Sequence, residues 1–115
     1  MTIAIHQLTV REIGERLRSR QLTASDVVEY FLARIDQLQP VFNAFIHVDG
    51  ERAMDWARDV DRVVARGGDP GALAGVPMGV KELQPVQGWP FAMGSTLHAG
   101  RIGRASCRER VLPTV

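Results

Sequence analysis

The sequence predicts an α/β fold in which helices lead and short strands follow. Three observations carry this expectation. Two capped, amphipathic stretches come before residue 40 and repeat apolar residues at helical spacing. A strictly alternating stretch, Asn43 to Val48, reads as a strand. A second short apolar run follows a glycine–proline turn and ends in Lys81-Glu82-Leu83, which also reads as a strand.

Thr9-Val10-Arg11-Glu12 has the pattern of a capping box, in which the threonine hydroxyl and the glutamate each satisfy a backbone amide at a helix start. Val10, Ile13 and Leu17 then recur on one face. Arg16, Arg18 and Arg20 make the end of this stretch basic, which suits the negative end of a helix dipole. Thr23 caps a second helix, with Asp26 in its first turn. Val28, Phe31, Leu32, Ile35 and Leu38 form its apolar stripe, and Pro40 marks its expected stop.

In the stretch from Asn43 to Val48, Ala44, Ile46 and Val48 lie on one face and Phe45 and His47 on the other. Asp49-Gly50 either turns the chain or caps the next helix. That helix carries Ala53, Trp56, Ala57, Val60, Val63 and Val64, and Gly67-Gly68 closes it. Asp55, Arg58, Asp59, Asp61 and Arg62 fall between these positions and read as a solvated face. No histidine or further carboxylate converges on them in sequence, so no metal site is expected. Asp69-Pro70-Gly71 makes a turn. Beyond it, alternation sets Met78, Val80 and Glu82 on one side, with Gly79, Lys81 and Leu83 on the other.

Composition narrows the function classes. The 115 residues carry 14 Lys+Arg against 13 Asp+Glu, a net charge of +1. Near neutrality supplies no electrostatic drive toward nucleic acid or an anionic membrane. No apolar run reaches the ~20 residues of a membrane span. The first residues lack the basic and apolar regions of a signal peptide. Cys107 is the only cysteine, so no internal disulfide forms and a reducing, cytoplasmic setting is expected. The pattern Gly75-x-x-x-Gly79-x-Lys81 is followed by Glu82 rather than the hydroxyl residue that a phosphate loop needs for magnesium, so no nucleotide site is expected.

Leu73-Ala74-Gly75-Val76-Pro77-Met78-Gly79-Val80-Lys81-Glu82-Leu83 resembles the Gly-Val-Pro-x-x-Val-Lys-Asp stretch of the amidase signature family. Its surroundings agree. Arg34-Ile35 through Pro40, with Asn43-Ala44-Phe45, resembles the family's Arg-Ile-x-x-x-x-Pro-x-x-Asn-Ala-Phe segment. Val86-x-Gly88 and Gly94-Ser95 stand where the family has the same pairs. The resemblance implies helices and the first strands of a mixed sheet flanked by helices, cut short, with residues 1–101 an N-terminal portion of the domain. It implies amide hydrolysis through a Ser–cis-Ser–Lys triad, without metal or cofactor, in which Lys81 matches the lysine. That lysine must be neutral to accept a proton, and burial among apolar walls favours the neutral amine. Glu82 replaces the commoner aspartate.

The family's two serines lie in a Gly/Ser-rich loop that this chain does not contain, so the chain alone is expected to be inactive. Ser95, with His98 as base, is an alternative nucleophile, set against a reading of Gly94-Ser95 as a structural turn. The implied partners are a small-molecule amide and either a second copy or the other subunits of an aminoacyl-tRNA amidotransferase. A separate alternative is a small helical interaction module without enzymatic activity, but such a module has no use for the segment from Gly75 to Leu83. After Gly100 the resemblance ends. Residues 102–111 resemble one reading frame of a common sequencing adapter, so residues 102–115 are expected to be a non-native tail.

Overall fold

The computed structural model describes residues 4–104. They fall into two compact units, one ending at Met78 and the other beginning at Gly79. The expected tail lies outside the described residues beyond Arg104, and Cys107 with it.

The first unit is built from three helices: α1 (Val10–Arg18), α2 (Ala24–Phe42) and α3 (Gly50–Ala65). A 3-10 turn at Ile5–Gln7 precedes them, and His6 Nδ1 meets the Tyr30 hydroxyl of α2 at 2.5 Å with the two rings stacked. The expected capping box of α1 forms, and the expected N-cap of α2 is a capping box as well. Glu12 N–H donates to Thr9 Oγ1 at 3.3 Å, and Thr9 N–H donates to Glu12 Oε2 at 2.7 Å. At α2, Asp26 N–H donates to Thr23 Oγ1 at 3.0 Å, and Thr23 N–H donates to Asp26 Oδ2 at 3.2 Å. Of the two readings of Asp49-Gly50 the structure takes the cap: Arg52 N–H donates to Asp49 Oδ1 at 3.2 Å.

One cluster of buried side chains holds the helices together: Ile13 and Leu17 from α1, Ala24, Val27 and Val28 from α2, Ala53 and Ala57 from α3. The α3 alanines sit one turn apart, and side chains that small let helix backbones approach closely. Of the expected α2 stripe, Val28 lies in this cluster, Phe31, Leu32 and Ile35 pack against it, and Leu38 is exposed. Val41 and Phe42 at the end of α2, and Ile46 after it, remain exposed.

The Thr9 amide, and then the Thr9 hydroxyl, hold the Glu12 carboxyl below its ordinary pKa by bonding to its charged form. Burial opposes this, and Arg16 and Arg11 add to the lowering. A carboxyl with a depressed folded pKa stabilises the fold above its unfolded value. The contribution disappears as pH falls through the folded value. An NMR titration of the Glu12 side chain is expected to show a midpoint below that of free glutamate. Thr9→Val, which removes the hydroxyl but keeps the backbone amide, is expected to raise the midpoint only part of the way.

Asp61 corrects the reading of the α3 acids as a solvated face. Its Oδ1 accepts from Ala24 N–H at 2.6 Å, and its Oδ2 accepts from Ser25 N–H at 3.1 Å and Ser25 Oγ at 2.6 Å. A carboxylate at the positive end of α2 satisfies two amides that have no partner within the helix. Arg20 answers at the C-terminal end of α3, where its Nη2 donates to the carbonyls of Val64 and Ala65 at 3.3 Å. Asp61→Ala is expected to cost ~1–3 kcal/mol by stranding those donors. Asp59→Ala removes only a surface pair with Arg62 and is expected to stay within ~0.5 kcal/mol. Urea midpoints of the two variants read the difference.

The expected strands are not present among the described residues, which contain only isolated bridges. Asn43 turns into the left-handed conformation (φ 46°) and ends α2, with its N–H donating to Gln39 O at 2.7 Å. The Gln39 side chain then takes both backbone groups of Phe45, accepting from its N–H at 3.1 Å and donating to its carbonyl at 2.5 Å. With its N–H used, Phe45 has no donor left for a ladder. The alternation itself is real: Ala44, Ile46 and Val48 are exposed while Phe45 and His47 are half-buried. No neighbouring strand is present among the described residues. Pro40 does not stop α2 either. It lies inside the last turn, and the helix runs on to Phe42, where Asn43 tolerates the reversal. At the far end of α3 the two glycines do close the helix, with Gly67 at φ 78°.

The second unit, from Gly79, has little regular structure. Residues 81–84 form a turn in which Gln84 N–H donates to the Lys81 carbonyl at 2.8 Å. Val86 and Trp89 are its buried side chains. Gln87 pairs with Gly103 in a parallel bridge and Pro90 with Ile102 in an antiparallel one. No helix among the described residues is long and apolar enough to cross a membrane.

Candidate functional site

Lys81 stands at the start of the 81–84 turn and its side chain is exposed. Its neighbours in sequence follow the expected two sides in part. Val80 and Glu82 are half-buried, while Gly79, Lys81 and Leu83 are exposed. The apolar walls that a neutral catalytic lysine needs are therefore not supplied by its immediate neighbours. Glu82, expected on the opposite face of a strand from Lys81, instead lies in this turn, where no strand forms among the described residues.

Ser95 has a structural task. Its Oγ accepts from Leu97 N–H at 3.3 Å, and its carbonyl accepts from His98 N–H at 3.1 Å, so it caps the 3-10 turn Thr96–His98. Gly94 before it has φ 69° and Met93 φ 53°, the backbone of a tight reversal. The turn reading of Gly94-Ser95 accounts for these bonds.

Sequence reasoning passed over one feature of this unit. An open cleft of about 670 Å³ is lined by Pro85, Phe91, Gly100, Arg101, Ile102 and Arg104. The Arg101 guanidinium lies over the Phe91 ring, 5.7 Å from its centre. Among the described residues, the cleft lining does not include Lys81. Among the described residues no group of three or more His, Cys, Asp or Glu side chains is placed to hold a metal ion.

Comparison with known proteins identifies what the motif belongs to. The family model described as Amidase matches residues 26–108. The A subunit of the glutamyl-tRNA(Gln) amidotransferase of Streptomyces avermitilis is 42 % identical over 100 residues, covering 87 % of this chain and 20 % of that protein. The putative amidase AmiD of Mycobacterium tuberculosis is 40 % identical over 94 residues, covering 82 % of this chain and 20 % of that protein. Among solved structures, a bacterial aryl acylamidase of the amidase signature enzymes superposes with a TM-score of 0.84 at 25 % identity, over 94 % of this chain and 24 % of its own. A structure from a study of the origins of an s-triazine catabolic enzyme superposes equally, with a TM-score of 0.84, 30 % identity and 94 % and 25 % coverage. The chain spans about a fifth of the length of the curated relatives it matches. On the family match and the superposed folds together, this chain belongs to the amidase signature family.

Proposed function

We propose that the chain is the N-terminal portion, residues 1–101, of an amidase that hydrolyses a carboxamide C–N bond through a Ser–cis-Ser–Lys triad. Lys81 is the one triad member it carries. The observation that supports this most is that Lys81 closes a Gly-Val-Pro-x-Gly-Val-Lys run inside the matched residues 26–108. In the reaction the nucleophilic serine attacks the amide carbonyl. Its proton passes through the middle serine to the neutral Lys81 amine. When the C–N bond breaks, the proton returns along the same path to the departing amine, leaving an acyl-enzyme that water then hydrolyses. The two serines and the walls that bury Lys81 come from the larger part of the domain, as does the substrate pocket. No cofactor is required.

The purified 115-residue chain is accordingly expected to release no ammonia from simple carboxamides above the buffer rate. Turnover that disappears with Lys81→Ala would show that the nucleophile is already present and overturn this reading. Genomic sequence past codon 100 tests the same proposal from the other side: an open frame running into a Gly/Ser-rich loop supports it.

A second reading is favoured by the relatives themselves. The amidotransferase A subunits of Streptomyces avermitilis and Streptomyces coelicolor are each 42 % identical to this chain. In that reading the amidase releases ammonia for a partner subunit that amidates a misacylated tRNA. Co-purification of the longer protein with further subunits, and glutamine-dependent amidation by the complex, distinguish it from a free-standing hydrolase.

A further inference from the structure

We draw no further inference here: the strongest candidate, the exposed apolar end of α2 around Val41 and Phe42, is an unpartnered face, and nothing in the structure shows what covers it.

Discussion

Lys81→Ala, introduced into the protein encoded by the continued reading frame, is expected to lower amide turnover by about 10²–10⁴-fold, the usual contribution of a positioned proton acceptor. On the proposed mechanism Lys81 acts on the serine relay and not on the amide group that the pocket binds, so the loss should fall on kcat. Lys81→Arg should not rescue it. A guanidinium stays protonated at any working pH and has no lone pair to accept the proton. Lys81 is exposed within its own unit, so truncating it removes no core contact there, and circular dichroism should be unchanged. Full activity in Lys81→Ala would remove Lys81 from the chemistry altogether.

The helices were legible because their instructions are local. Thr9 and Glu12, or Thr23 and Asp26, are three residues apart, and each pair satisfies the other's amides whatever surrounds it. The strands were not legible in the same sense. The alternation from Ala44 to Val48 states which side chains share a face, and that much agrees with their exposure. It does not state whether a neighbour exists to complete a ladder. In its absence the Gln39 side chain takes the Phe45 amide and carbonyl. Asp61 was illegible for a different reason. Its partners Ala24 and Ser25 stand nearly forty positions earlier, and helical spacing places it among the surface charges of α3. Lys81 was legible only as part of a motif. Its own surroundings are an exposed turn, which alone suggests a lysine reaching water. Local signals thus specified caps and faces, while contacts between distant segments decided the rest.

Gly75→Ala is expected to cost ~2–5 kcal/mol. Two physical terms combine. Gly75 has φ 78°, where an L side chain is strained by ~1–2 kcal/mol. A Cβ there would also stand 2.7 Å from Leu17 Cδ1 and 2.9 Å from Ala24 Cβ, both in the buried cluster. The leucine tip can swing aside. Ala24 cannot, since its Cβ is fixed to the first turn of α2 and its amide is held by Asp61. Forcing an extra carbon into such a site costs a further ~1–3 kcal/mol. Gly67→Ala separates the terms. Gly67 has the same φ of 78°, yet nothing lies within 4 Å of its added Cβ, so it incurs only the backbone cost. Urea denaturation followed by circular dichroism should therefore rank Gly75→Ala well below Gly67→Ala. Equal midpoints would mean that the turn bearing Gly75 does not press on α1 and α2.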